Sequence, residues 1–171
     1  DYSIGTNITL VNVGDTVQFK NAKNQLSKDG SNYINVQATG KIAASGNIQS
    51  LLNYEEVCGD GAFAKFFEGC TALTQAPNLP AKSVGAHCYS QMFNGCSSLK
   101  AMPVIGATKF TGEHSCQRMF GDCTSLTSVT PINATEVGQY CYRYMFSGCS
   151  ALEVPPALNT TKFDKYSCQY M

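Results

Sequence analysis

Tryptophan is absent, and charged residues make up only 14% of the 171 residues, with 12 acidic and 12 basic side chains that cancel. A nucleic-acid partner asks for a basic face and an anionic membrane for a run of Lys and Arg; the sequence offers neither. No apolar run is long enough to span a bilayer. No basic stretch leading into an apolar one marks a signal peptide, although a mature or trimmed chain would lack one too. Nine cysteines are present, an odd number that cannot pair completely within one chain. No CxxC pair occurs among them, and the spacing from Cys88 to Cys96 is not that of a zinc site. The expectation is therefore no metal, no cofactor and no catalytic residue. His87 beside Cys88 makes a poor nucleophile–base pair, because neighbours on a helix point apart and no third group orients them.

What the sequence does have is periodicity. The segments FFEGC, MFNGC, MFGDC and MFSGC, centred on Phe67, Phe93, Phe120 and Phe146, follow one another at steps of 26, 27 and 26 residues. Each leads into a small polar pair and a leucine: Leu73, Leu99, Leu126 and Leu152. Six residues on come Leu79, Ile105, Ile132 and Leu158, and eleven on come Val84, Phe110, Val137 and Phe163. Met171 falls in the column of Met92, Met119 and Met145. A finer alternation lies on top: the last apolar column reads Val, Phe, Val, Phe, and the block before Met reads HCYSQM, HSCQRM, YCYRYM, YSCQYM.

Cys88, Met92 and Cys96 stand at i, i+4 and i+8, with Tyr89 and Phe93 as a parallel pair, which predicts a short amphipathic helix. The leucine then opens a short extended segment, edged by Pro77, Pro103, Pro131 and Pro155 because proline cannot donate to a ladder. Neither element buries its apolar side alone, so the units must stack. Cys70, Cys96, Cys123 and Cys149 read as a buried ladder of unpaired thiols, since side chains in a ladder point the same way rather than at each other. The fold class expected is an α+β repeat solenoid of units of about 26 residues, with short strands and short helices. A small β-meander precedes it: ITLVNV, TVQFK, YINVQA and KIAAS, separated by turn residues. The division is residues 1–45 as an N-terminal β-rich domain or cap and residues 46–171 as the solenoid. Residues 46–70 form a degenerate first unit, and the register of Met171 predicts a C-terminal edge that packs on further repeats or on another chain.

The pattern in HCYSQMFNGCSSLKAMPVI and YCYRYMFSGCSALEVPPAL resembles the leucine-rich repeats of BspA-like surface proteins of gut and oral Bacteroidales, with related repeats in trichomonad surface proteins. Cys116 and Cys168 depart from it, lying three residues before Met instead of four. The resemblance implies a secreted or outer-membrane-anchored protein that binds proteins or glycans on a host or bacterial surface. Phage tail adhesins are a further setting in which such modules occur.

Two surfaces are candidates for binding. The first is the strand face, where Thr74, Gln75, Lys100, Thr127, Ser128 and Glu153 stand between the leucine and the proline; it is either a ligand face or a solvated one. The second is an aromatic patch: Tyr140 and Tyr144 stand at i, i+4, opposite the Cys141 and Met145 stripe, and Tyr166 and Tyr170 repeat them. It either contacts a partner or a sugar, or lies under a neighbouring element. Asn7, Asn133 and Asn159 open N-glycosylation sequons, which matter only in a eukaryotic source.

Overall fold

The computed structural model describes residues 34–171 together with Asn12, Gly14 and Asp15. The meander expected upstream, apart from its last segments, lies outside the described residues, as does the sequon at Asn7. The strands are β1 (Ile42–Ala43), β2 (Val57–Cys58), β3 (Leu73–Gln75), β4 (Ser83–Val84), β5 (Lys109–Phe110), β6 (Glu136–Val137) and β7 (Lys162–Phe163). Five of them form a parallel sheet in the order β2-β4-β5-β6-β7. Parallel neighbours need a long crossover, and here each crossover is one whole repeat. The register places Cys58, Val84, Phe110, Val137 and Phe163 in one column. All but Phe163 are buried. The strand expected at each leucine is formed only at β3, which pairs with β1; later repeats keep single pairings such as Ala101 with Ser128. The prolines that follow each leucine cut the ladder short, since they carry no N–H.

The short helices expected over the Cys-Met-Cys stripes are absent among the described residues, whose one helix is the 3-10 turn Ile48–Leu52. The stripe is instead a ribbon of consecutive turns. Every fourth residue is left-handed: His87 has φ 54°, Gln91 55° and Gly95 77°. Between them, the N–H groups of Ser90, Met92, Asn94 and Cys96 bond back to the carbonyls of His87, Tyr89, Gln91 and Phe93 at 3.0–3.1 Å. The alternate N–H groups leave the repeat: His87, Tyr89, Gln91, Phe93 and Gly95 donate to Glu113, Ser115, Gln117, Met119 and Gly121 at 2.7–3.0 Å. An i, i+4 stripe fits both arrangements. A helix turns every 3.6 residues and satisfies its own backbone, whereas this ribbon repeats every four and spends half its donors on its neighbour.

The core is built of columns. Phe67, Phe93, Phe120 and Phe146 stack with centroids 5.4–5.6 Å apart and rings within 8° of parallel. Beside them, the Cys96, Cys123 and Cys149 thiols donate to the carbonyls of Phe67, Phe93 and Phe120 at 3.0–3.1 Å. Cysteine suits this column because it is a small apolar body with a weak donor. The alternation in the sequence is a trade of volume: Val84 goes with Tyr89, Phe110 with Cys116, and Val137 with Tyr142, all buried. Phe110 meets the Tyr142 ring edge-on across the repeat boundary at 5.8 Å. Close-packed interiors admit such exchange only where the total volume is kept.

Cys70, Cys96, Cys123 and Cys149 are buried and unpaired as expected; outside that ladder, Cys58 and Cys88 form a disulfide with Cα atoms 6.5 Å apart. These two stand in different columns, Cys58 in the sheet and Cys88 in the ribbon, so they face each other across the core. Ladder geometry forbids pairing within a column, not between columns.

The ribbon donors that leave a repeat all point toward the following one, which leaves the carbonyls of the first repeat without a donor from behind. Residues 34–44 fill that need. Val36 N–H donates to the Phe66 carbonyl at 2.7 Å, and Ile42 N–H to that of Ala72 at 3.0 Å. The Asn35 amide reaches the carbonyls of Lys65 and Glu68, and the Gln37 amide also reaches that of Glu68. Ile34, Val36, Ala38, Ile42 and Ala44 pack on the same core as the repeats.

Three outcomes follow from this packing. A Cβ added at Gly112 would lie 2.0 Å from the Ala86 backbone nitrogen, whereas one at Gly40 would meet nothing within 4 Å. Gly112→Ala is therefore expected to lower the urea-unfolding free energy by about 3 kcal/mol or more, and Gly40→Ala to change it by less than about 0.5 kcal/mol. Thiol titration should find one reactive group in the native protein, Cys168, then seven in denaturant and nine after reduction. Stability should also fall in alkali. Burial, then the neighbouring Cys70, pushes the Cys96 thiol from 9.0 up to about 12, and burial first pushes Cys149 up to about 11. Above pH 9 the unfolded chain sheds protons that the folded chain keeps, so stability is full below that pH and declines as pH rises toward 11. Unfolding midpoints at pH 8 and pH 10.5 measure it; equal midpoints would contradict the buried ladder.

Candidate binding faces

The strand-face row is present, with its backbone groups paired across repeats and most of its side chains exposed. Thr74 is half-buried, and its hydroxyl donates to the Ile42 carbonyl at 2.8 Å. The N–H groups of Thr127 and Ser128 both reach the Lys100 carbonyl, at 3.0 and 3.1 Å. Gln75, Lys100, Thr127, Ser128 and Glu153 are exposed. The five-stranded sheet presents a second outward column that sequence reasoning missed: Val57, Ser83, Lys109, Glu136 and Lys162, each just before the last apolar column. Its charges satisfy one another. Glu136 lies 3.8 Å from the Lys109 ammonium and 2.6 Å from that of Lys162. The hydrogen bond from Lys162 holds the Glu136 carboxyl below its ordinary range. Beside this column, the hydroxyls of Thr108, Thr135 and Thr161 donate to the carbonyls of Lys82, Thr108 and Thr135 at 3.1–3.4 Å. The side chains of Asn133 and Asn159 bond to each other at 2.7 Å.

The aromatic patch is more extensive than the sequence suggested. Tyr140 and Tyr144 each belong to a column that crosses the repeats. Tyr140 stacks on Tyr166 at 5.2 Å and Tyr144 on Tyr170 at 4.9 Å, with rings within 12° of parallel. The first column continues upstream, His114 lying 4.9 Å from Tyr140 and His87 5.0 Å from His114. The histidines went unnoticed as members, although they stand in the same register of the repeat. Tyr140 and Tyr144 are half-buried, while Tyr166 and Tyr170 are 56% and 64% exposed.

The ribbon explains the projection of these side chains. The Tyr144 column includes Lys65, Gln91 and Arg118 in the earlier repeats, and every non-glycine member of both columns is left-handed, from Arg118 at φ 53° to Lys65 at 59°. Bulky residues rarely adopt this conformation, and it costs about 1 kcal/mol or more each. Ring stacking offsets part of that cost. Burial, and then the His87 beside it, holds the His114 imidazole below the ordinary histidine range. The guanidinium carbon of Arg143 lies 5.4 Å from the Tyr140 centroid and 5.0 Å from that of Tyr144.

His87 and Cys88 form no nucleophile–base pair: the Cys88 sulfur is bonded to Cys58, and His87 stacks on His114. Among the described residues, no three His, Cys, Asp or Glu side chains come together to hold a metal. No helix among them is long and apolar enough to cross a membrane. No known protein family, curated protein or solved structure matches the chain.

Proposed function

We propose that this chain is an extracellular or cell-surface adhesion module, a leucine-rich-repeat solenoid similar to the BspA-like proteins, that binds other proteins through its aromatic ladder. The observation that carries the reading is the continuous column His87–His114–Tyr140–Tyr166 with Tyr144–Tyr170 beside it. Tyrosine gives large contact area at low entropic cost and a hydroxyl for hydrogen bonding, which is why it is enriched at protein interfaces. The Cys58–Cys88 disulfide fits an oxidising compartment. A net charge of zero gives nucleic acid no field to follow.

Ring orientation favours protein over carbohydrate. A sugar binds an aromatic residue by lying on its face. Here the faces are used on one another, so along the ladder the rings offer a ligand their edges. The open faces of Tyr166 and Tyr170 keep glycan as the second reading.

The test replaces Tyr140, Tyr144, Tyr166 and Tyr170 together by Asn, which removes the rings but tolerates left-handed backbone better than other side chains. The wild type and this variant would be compared in capture of proteins from host mucosal and bacterial extracts and on a glycan array, with melting temperature as the folding control. The expected result is protein capture by the wild type that falls at least about tenfold in the variant, a loss of roughly 1.4 kcal/mol. Binding that survives the loss of the rings, binding lost instead on replacing Lys100, Thr127 and Glu153, or binding to glycans alone would each sink the reading.

A further inference from the structure

Two arginines stand on the aromatic face, and they differ in one respect. Arg118 has its donors committed: its Nε reaches the Asn94 Oδ1 at 3.2 Å, and its Nη2 reaches the Asp122 carboxylate at 3.0 Å. Arg143 stands opposite it in the next repeat, its carbonyl accepting the Arg118 N–H at 2.9 Å, and has no carboxylate within ion-pair distance among the described residues. Its Nε is closed off from solvent with no acceptor. What surrounds it is aromatic and neutral. The Tyr140 and Tyr144 rings flank the guanidinium at 5.4 and 5.0 Å, and Gln117 and Gln169 occupy the same repeat position above and below. A cation beside aromatic rings is attracted to them, but its N–H groups find no lone-pair acceptor there. The guanidinium is thus held in place by two rings and partly stripped of water at Nε, while its two Nη groups, which are not closed off, are left as donors that the protein does not use.

Resting on the protein-binding reading above, we propose that Arg143, clamped by Tyr140 and Tyr144, is the anchor for a carboxylate, supplied by an Asp or Glu side chain on an acidic segment of the partner protein. A guanidinium is flat and always charged, and its fork of donors matches the two oxygens of a carboxylate. The rings lower the local dielectric and so strengthen that bond. The hydroxyl-bearing edges of the tyrosine columns on either side offer a peptide further hydrogen bonds. Other anions fit less well. A phosphopeptide is recognised by a cluster of arginines and nucleic acid by a row of cations, whereas here one cation is free and its neighbour Arg118 is neutralised by Asp122. A uronic acid brings the right charge, but its ring has no open aromatic face beside Arg143 to lie upon.

The experiment follows the Arg143 Nε–H resonance by NMR in the folded 171-residue protein while three probes are added: a blocked Glu-rich decapeptide, the same peptide with Gln at every Glu position, and an oligoglucuronate. The expected result is a saturable shift at Arg143 with the Glu peptide, at millimolar affinity and weakened by salt, and none with the Gln peptide. Arg143→Lys keeps the charge but loses the fork; it should weaken Glu-peptide binding, read from the Tyr140 and Tyr144 ring signals, by about tenfold. Lys109→Gln, on the outward column of the five-stranded sheet, should leave it within about twofold, the spread expected for a non-participating surface change. The proposal is overturned if Arg143 shows no saturable shift, if the Gln peptide binds equally well, if oligoglucuronate binds and the peptide does not, or if Lys replaces Arg143 without loss. Its failure is separable from that of the adhesion reading. A silent Arg143 with ring-dependent partner capture removes only the carboxylate anchor, whereas carboxylate binding at Arg143 with ring-independent capture removes the ladder as the adhesive face.

Discussion

In the turn ribbon, every second backbone N–H leaves its own repeat: those of His87, Tyr89, Gln91, Phe93 and Gly95 end on carbonyls of the next one. Buried backbone groups must be paired, so each repeat is a complete hydrogen-bonding partner only in the presence of its neighbour. The requirement fixes a backbone conformation that recurs every four residues with one left-handed position per period. It also fixes the distance between repeats at a backbone hydrogen bond, which is why chemically identical side chains form columns with centroids near 5.5 Å. The Phe stack, the thiol-to-carbonyl ladder and the aromatic face are consequences of that spacing.

The same spacing makes volume a property of neighbouring repeats together. Tyr142 in the ribbon is accommodated because Val137 in its own sheet column is small, and Phe110 of the preceding repeat is accommodated because Cys116 is small. The alternation therefore has a period of two repeats. The one repeat with Cys in the sheet column, at Cys58, uses it to bond the ribbon of the following repeat through Cys88. The thiols of Cys96, Cys123 and Cys149, which share one column, stay unpaired and serve as small donors.

Columns were legible in the sequence because they depend on register alone. The steps of 26 and 27 residues, the Phe, Cys and Leu columns and the Val/Phe alternation could all be seen without coordinates. The backbone beneath them could not, because i, i+4 spacing belongs equally to a helix and to a run of four-residue turns. Residues such as His87, Gln91, Arg118 and Tyr144 gave no hint of positive φ, a conformation that sequence reading assigns to Gly or Asn. The disulfide escaped for a related reason: Cys58 and Cys88 belong to different columns, and their meeting depends on how the ribbon folds over the sheet. Of the candidate aromatic face, four tyrosines were found by their repetition. His87 and His114 were missed because their residue type differs from that of the tyrosines they stack upon.

The left-handed columns also separate what the fold needs from what it carries. The column of His87, His114, Tyr140 and Tyr166 has Gly61 at φ 64° as its member in the first repeat, and the column of Asp122 is otherwise glycine, at Gly69, Gly95 and Gly148. Glycine meets the backbone requirement at no steric cost, so the ribbon itself does not call for rings. A bulky side chain at such a position spends about 1 kcal/mol or more and recovers some of it by stacking. Tyr166 and Tyr170 are more than half exposed, so burial contributes little to that recovery. Along both columns the residues change from Gly61 and Lys65, through His87 and Gln91, to Tyr140 and Tyr144, while the Phe and Cys columns inside stay constant. Interior columns with one residue type define the stack. Exterior columns whose chemistry drifts from repeat to repeat, at positions where a simpler residue would serve the backbone, are where selection for something other than folding has room to act.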